Sequence, residues 1–328
     1  MLEYFLETDQ KLCREGAILN SDTVLVTGGA GFLGSHVTDK LIAMGYVVTV
    51  VDNLHTGKST NLPDGVDFYN ADIAGGELED VFVAVKPKVV IHLAAQISVQ
   101  SSMQNPLLDA NINIQGSLQI LEYCIKYGVQ KLVYASSGGA IYGEPKYLPC
   151  DEMHPVNPLS NYGVSKFAVE NYLYTHNLTN GLDYTTLRFG NIYGPRQDPF
   201  GEAGVIAIFA LAMLEGRTVI INGNGEQERD FIYVTDAADA VIKGISGKIG
   251  NSYNIGVGKG HSINYISSLL KTETGYEEDL EYGSAKPGEV FKIYLDSSKA
   301  LRELDWAPQM TIENGIKETV NWFKSSIS

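Results

Sequence analysis

Three cysteines in 328 residues, Cys13, Cys124 and Cys150, are too few and too scattered for a disulfide framework or a thiolate metal site, and they point to a reducing cytoplasm. Positive charge is also scarce, with 24 Lys and Arg against 39 Asp and Glu and a formal net charge of −15. That balance argues against nucleic acid or an anionic membrane as partner, and an anionic ligand would need a local group of arginines. No apolar run approaches the ~20 residues of a membrane helix. Residues 1–22 alternate charged and apolar side chains without a signal-peptide core, so they read as an N-terminal extension with no assigned role. The six histidines show no H-x-x-x-H and no pairing with cysteine, so no metal is expected. Internal repeats and low-complexity tracts are missing as well.

What is present is a core and a rhythm. Hydrophobic residues make up 44% of the chain. Strand signals at 23–27, 46–51, 67–70, 88–93, 131–136 and 184–189 alternate with helix signals at 35–44, 77–85, 110–127 and 162–179. Such alternation predicts an α/β fold with a doubly wound parallel (Rossmann) sheet. Beyond residue 191 the pattern is less regular, with helices near 203–215, 235–245, 263–274 and 312–325. The reading is a dinucleotide-binding domain over 23–190 and a smaller α/β part over 191–328.

The first strand runs into Gly28-Gly29-Ala30-Gly31-Phe32-Leu33-Gly34 and then a helix. Glycine allows the sharp turn and the close backbone approach that a pyrophosphate needs, and the helix N-terminus offers free N–H groups and a positive dipole. The next strand ends at Asp52, 18 residues after Gly34. A carboxylate there can bind ribose hydroxyls and repels a 2′-phosphate, which favours NAD over NADP, although Lys58 softens the repulsion. Ligands of such sheets sit beyond the strand C-termini, where Asp52, Asp72, 93–96, Ser136, Ser137 and 188–191 fall.

Tyr162 and Lys166 stand four residues apart on one helix face. Free tyrosine titrates near ~10 and is a poor base at neutral pH, but a neighbouring cation favours the phenolate. After the dinucleotide turn, this pair couples a base to a nicotinamide.

These motifs, with V-D-N-L-H-T-G-K, H-L-A-A-Q, A-S-S-G-G-A-I-Y-G, G-N-I-Y-G-P-R-Q-D-P-F-G-E-A-G-V and R-D-F-I-Y-V-T-D, resemble the extended short-chain dehydrogenase/reductases, and among them the UDP-glucose (UDP-galactose) 4-epimerases, over about residues 23–325. The resemblance implies that Tyr162 removes the sugar 4-hydroxyl proton while NAD takes the C4 hydride, and that hydride returns to the opposite face of a 4-keto sugar. Lys166 would hold the ribose and lower the tyrosine pKa. The cofactor wall it implies is Gly28, Gly31, Phe32, Leu33, Gly34, Asp52, Asn53, Thr56, Gly57, Asp72, Ile73, Leu93, Ala94, Ala95, Gln96, Asn113, Ser136, Tyr162, Lys166 and Phe189.

Relatives place a serine or threonine where this chain has Gly138, so Ser137 is the nearest hydroxyl. It could serve there, a water could replace it, or Ser137 could merely end the strand. Gly139 and Ala140 stand where dehydratases and decarboxylases carry acids, which favours epimerisation. For the nucleotide sugar the resemblance implies Asn191, Val205, Ile206, Asn222, Arg229, Lys286 and Glu289. Lys286 replaces an arginine fork and Asn222 replaces an aromatic ring. Ile293, near a position that sets sugar size, leaves UDP-glucose/galactose, UDP-GlcNAc/GalNAc and UDP-glucuronate open. Arg188 and Arg196 read as structural or as ligands. Helices 110–127 and 162–179, with Ile120, Leu121, Phe167 and Val169, are expected to pair with a second copy as a four-helix bundle. A reductase, or a cofactor-binding sensor protein without catalysis, is the competing reading.

Overall fold

The computed structural model describes residues 22–200, 204–285 and 290–327. The strands are β1 (Thr23–Thr27), β2 (Val47–Asp52), β3 (Asp67–Asn70), β4 (Val89–His92), β5 (Lys131–Ser137) and β6 (Tyr184–Phe189). β7 (Asn191–Tyr193), β8 (Ile220–Asn222) and β9 (Glu228–Tyr233) follow, then β10 (Asn251–Ile255), β11 (Gly260–Ser262), β12 (Glu281–Gly283) and β13 (Lys292–Ile293). Seven of these form one sheet in the order β10-β6-β5-β4-β1-β2-β3, and every neighbouring pair is parallel. β1, β4 and β6 are buried at nearly every position, without in–out alternation, as expected of strands covered by helices on both faces. The strand order runs outward in both directions from β1 and β4, so a crevice opens beyond their C-terminal ends.

One helical layer and the sheet enclose Val24, Val26, Val37, Leu41 and Ile91. The other layer encloses Leu25, Phe82, Val90, Ile120, Leu121 and Val169. Completely burying such a side chain contributes about 1.5–3 kcal/mol. Ile120, Leu121 and Val169 are 0%, 0% and 1% exposed, so they pack inside the chain rather than against a second copy. The sheet takes the main apolar stripe of each helix. The helix expected over 162–179 turns Val164, at 50% exposure, and Leu178, at 66%, outward. Phe167 is partly buried against the cluster of Ile141, Tyr142 and Leu295.

The stretch expected as one helix over 110–127 is helical in two pieces, a wide π-helical segment Ala110–Gly116 and Ser117–Lys126, and is preceded by a helical turn Pro106–Asp109. π-Segments widen a helix and concentrate at functional sites. The helix of the Tyr–Lys pair spans Asn161–Asn180. Ser160 caps it by accepting from the Gly163 N–H at 3.2 Å, and Gly181 closes it with φ of +72°.

The later part holds a second core of helices Val205–Leu214, Ile263–Thr274 and Ile312–Ile327, packed with Tyr193, Phe231 and Ile316. β9 is its hub, pairing with β7, β11 and β13. β10 and the helix Val234–Ile245 come from this part of the chain yet pack in the first core. Buried Asp230 pins the two parts together by accepting from the N–H groups of Val257 (2.7 Å), Gly258 (3.1 Å) and Leu295 (3.0 Å).

Candidate active site

A cleft of about 630 Å³ opens at the C-terminal ends of the main strands, running from the glycine turn to Tyr162 and Lys166. At its first end the backbone itself is the wall. Gly28 has φ of +72°, and a Cβ there would lie 2.7 Å from the Ala94 nitrogen. A Cβ on Gly34 would lie 2.0 Å from the Gly28 carbonyl oxygen. Helix Phe32–Ala43 begins at Gly31 with no side-chain cap and no acidic residue in its first turn, so its free N–H groups and positive dipole end face the cleft.

Asp52 closes that end. Its carboxylate accepts from the Ala30 N–H (3.0 Å) and the Leu54 N–H (2.8 Å). Burial raises its pKa, against the lowering effect of those backbone donors. Lys58 lies 3.7 Å from Asp198, so its charge is shared with a carboxylate. Asp72 accepts from Asn53 Nδ2 and from the Ala74 N–H, both at 2.8 Å. A rigid anion-binding turn with a carboxylate one strand over fits a dinucleotide without a 2′-phosphate.

Of the expected cofactor wall, Gly57 and Asn113 are outside the lining. Gly57 lies over Asp52, where a Cβ would meet Oδ1 at 2.8 Å. Asn113 is 2% exposed behind the wall, where its amide clamps Gln96 through both main-chain groups at 2.8 Å. The remaining expected residues line the cleft.

The inner end holds the chemistry. Ser102 Oγ accepts from the Tyr162 N–H at 3.0 Å and fixes where the helix starts. Gly163 lets that start approach the turn after β5, since a Cβ would sit 2.6 Å from the Ala140 oxygen. The Ser137 hydroxyl thereby reaches the Tyr162 phenol as a hydrogen-bond partner. Burial pushes the Tyr162 phenol up to about 12, with Ser137 acting to lower it. Burial also pulls the Lys166 ammonium down to about 7. Lys166 Nζ lies over the Tyr134 ring, 4.5 Å from its centre. The expected lowering of the phenol by Lys166 is therefore not seen in the protein alone, because desolvation dominates both groups.

A Cβ at Gly138 would lie 2.6 Å from Leu295 Cδ1, so a side chain there would require Leu295 to shift. Ser136 lines the cleft, but its hydroxyl donates to Glu170 Oε1 at 2.5 Å. Glu170 also receives Arg188, with Nη2 to Oε2 at 2.6 Å, and Arg188 Nη1 donates to the Tyr142 oxygen at 3.0 Å. Arg188 is thus structural, and Arg196 pairs with Asp39 at 2.7 Å.

His92 is 2% exposed behind the wall of the cleft, a place that was not foreseen. Ser117 Oγ donates to the Asn113 carbonyl at 2.6 Å, so it accepts from His92 Nε2 at 2.9 Å. Thr27 then donates to Nδ1 at 2.8 Å. Burial, with the nearby Lys166 charge, takes the imidazole down to about 3, so it stays neutral. Gln197, Ser98, Ser101 and Ile112 are further lining residues that sequence reasoning missed. Only the serine-rich stretch after H-L-A-A-Q offered a signal, as a helix cap in which Ser98 accepts from the Ser101 N–H at 2.8 Å.

The residues expected around a nucleotide sugar do not line this cleft. Asn191 starts β7, with its Oδ1 3.5 Å from where a Gly139 Cβ would stand. Val205 and Ile206 begin a helix, and Ile206 is 1% exposed. Asn222 ends β8, its carbonyl accepting from Gln227 Nε2 at 2.9 Å. Arg229 lies on β9, donating to the carbonyls of Glu228 (3.0 Å) and Phe291 (3.2 Å). Ile293 is 1% exposed in a core cluster with Ile141 and Leu295, so it does not face the cleft. Lys286 and Glu289 lie outside the described residues. Among the described residues no group of three His, Cys, Asp or Glu could hold a metal ion, and no helix is long and apolar enough to cross a membrane.

Residues 24–256 match the model of the NAD dependent epimerase/dehydratase family. The crystal structure of UDP-glucose 4-epimerase from Thermotoga maritima with UDP-glucose is 47% identical, with a TM-score of 0.92 over 93% of this chain and 100% of that one. The UDP-glucose 4-epimerase of Thermus thermophilus, solved with NAD, is 41% identical with a TM-score of 0.89 over 93% and 99%. The UDP-glucose 4-epimerase of Mycolicibacterium smegmatis is 39% identical over 308 residues, 92% of this chain and 98% of that protein.

Proposed function

The chain belongs to the NAD-dependent epimerase/dehydratase family, and on that premise we propose that it inverts C4 of a UDP-sugar, interconverting UDP-galactose and UDP-glucose. It is an epimerase, an isomerase by reaction class, and NAD is its cofactor. The observation that carries the substrate reading is the Tyr162–Ser137–Lys166 group at the inner end of the dinucleotide cleft, beside Gly139 and Ala140 instead of acids.

When bound, NAD supplies reversible hydride acceptance. Tyr162 holds the proton of the sugar 4-hydroxyl and gives it back after the 4-keto sugar has turned over. Ser137 donates to the phenolate oxygen and lowers the cost of its charge. With glycine at position 138, Ser137 is the hydroxyl available for that task. Lys166 holds the cofactor ribose and contributes positive charge. Gly139 and Ala140 supply no acid for elimination, so the keto sugar returns to the alcohol. By the resemblance, Arg229 and Lys286 would meet the diphosphate, Asn191 the phosphate or ribose, and Val205, Ile206 and Asn222 the base, with Glu289 a further substrate contact.

The enzyme acts as a homodimer in the cytoplasm, in which helices 110–127 and 162–179 pair with their copies as a four-helix bundle through outward faces such as that of Val164 and Leu178. A stable monomer in sedimentation at micromolar concentration would rule that assembly out.

The test is incubation of the purified protein, without added reductant, with UDP-galactose, UDP-GalNAc and UDP-galacturonate in turn, with products resolved by anion exchange and proton NMR. The expected result is UDP-glucose from UDP-galactose with no net NADH. Conversion of one of the other two alone would move the assignment to that sugar, and accumulation of NADH would make the chain a dehydrogenase.

A further inference from the structure

The segment Gly194–Asp198 follows β7 in the later part of the chain, yet it is tied to the first part at three points. His36 Nε2 donates to the Pro195 carbonyl at 3.0 Å. Arg196 Nη1 donates to Asp39 Oδ2 at 2.7 Å. Lys58 Nζ lies 3.7 Å from Asp198. His36 and Asp39 share one face of the helix Phe32–Ala43, whose first residues wall the dinucleotide end of the cleft. Lys58 follows Asn53, His55 and Thr56, which line the cleft too, and its own N–H donates to the Ala30 carbonyl in the glycine turn at 3.0 Å. Between the ties, Gln197 lines the cleft, with Nε2 donating to the Ile192 carbonyl at 3.2 Å. The segment is therefore a strap, seated on the cleft wall and fastened to the two elements that border the glycine turn.

The fastening holds a backbone that is not at rest. Arg196 has φ of +68°, in the left-handed region that costs a residue with a Cβ, and such a residue persists only where its surroundings hold it. What holds it is open to solvent, since the side chains of Arg196 and Asp39 are 29% and 38% exposed. Phe200, two residues beyond the strap, is 79% exposed, so its ring is no anchor. A strained strap on partly exposed ties can let go while both cores stay packed.

We propose that the strap Gly194–Asp198 is the gate by which NAD enters and leaves, latched shut by the Arg196–Asp39 pair and the His36 hydrogen bond. The proposal rests on NAD as the cofactor and not on which sugar is turned over. A cofactor that takes up hydride and gives it back has to outlast each turnover, and a latch that slows its exit serves that need. The latch contacts form between protein groups alone, so they hold the strap shut whether or not NAD is beneath it. Weakening them speeds entry and exit together and leaves the equilibrium affinity in place.

The test is the exchange of bound NAD. The holoenzyme is loaded with radiolabelled NAD and diluted into an excess of unlabelled NAD, and the retained label is followed in time. Arg196→Ala and Asp39→Ala are each expected to release NAD roughly three- to fivefold faster than wild type, the effect of one partly exposed ion pair. The charge-swapped Asp39→Arg/Arg196→Asp variant should return toward the wild-type rate. High salt should speed release from the wild type more than from Arg196→Ala, because it screens the pair that the variant lacks. Release at the wild-type rate from both single variants would overturn the proposal. So would weaker affinity without faster entry, since the pair would then support the bound state alone. The exchange is read without any sugar, so it decides the matter even if no UDP-sugar is converted.

Discussion

The dinucleotide end of the cleft is walled mostly by main chain, whereas its inner end and the expected sugar contacts outside it consist of side chains. The glycine turn, the helix start at Phe32 and the backbone around Leu93 and Ala94 are set by parallel strands and by glycines that admit no Cβ. The residues proposed for the sugar, Arg229, Asn191 and Asn222, lie outside that lining, each on a strand of three to six residues held by partners far along the chain. The first arrangement gives the cofactor a wall that side-chain replacement cannot easily alter. The second leaves substrate contacts that side-chain replacement can change without disturbing the sheet.

The contrast can be tested from both ends. Gly34→Ala should give the largest effect, because its Cβ would meet the Gly28 carbonyl at 2.0 Å, main chain against main chain. The purified variant is expected to lose its NAD, measured as cofactor released on denaturation. Arg229→Ala should keep NAD and raise KM. If Arg229→Ala also lost NAD, the two ends would not be separable in this way.

The next effect belongs to the architecture between them. Glu170→Gln leaves Arg188, 7% exposed, without its carboxylate, at a cost of about 3–5 kcal/mol in urea unfolding. Replacing both residues by apolar ones of similar size should recover most of that loss.

Asp230, which joins the two parts, gives a pH effect. Burial raises its carboxyl from 3.8 to about 6, against the three N–H groups that favour its charge. The native state then holds the proton more tightly than the unfolded state. Stability should therefore fall as pH rises between about 4 and 6, by about 3 kcal/mol from this group. Unfolding at both ends of that window should show a smaller difference in Asp230→Asn than in wild type.

The smallest expected effect is that of Ser137→Ala. Loss of one hydrogen bond to the phenolate should cost about 1–1.5 kcal/mol, roughly tenfold in kcat. An unchanged kcat would give the task to water.

The dinucleotide end was legible in the sequence because glycine spacing, buried β-branched strands and the Tyr162–Lys166 interval are local signals. Nearly all residues expected there line the cleft. Short strands such as Lys292–Ile293 carry no periodicity, so their pairing with β9 could not be read. The apolar stripe of Ile120, Leu121 and Val169 was real, but a stripe does not say whether a sheet or a second subunit covers it. The constraint on Gly138 and the place of His92 come from contacts with Leu295 and Ser117, 157 and 25 residues away along the chain. The opposing fates of Tyr162 and Lys166 follow from burial, which spacing on a helix does not reveal.

The most direct test of the central claim is the fate of the hydrogen on C4. UDP-galactose carrying deuterium at C4 would be incubated with the enzyme as purified, and the product examined by proton NMR. Retention of the deuterium at C4 of UDP-glucose, with no labelled NADH in solution, is the predicted result. Deuterium released to water, or carried off in free NADH, would contradict a closed exchange between the bound cofactor and a single sugar.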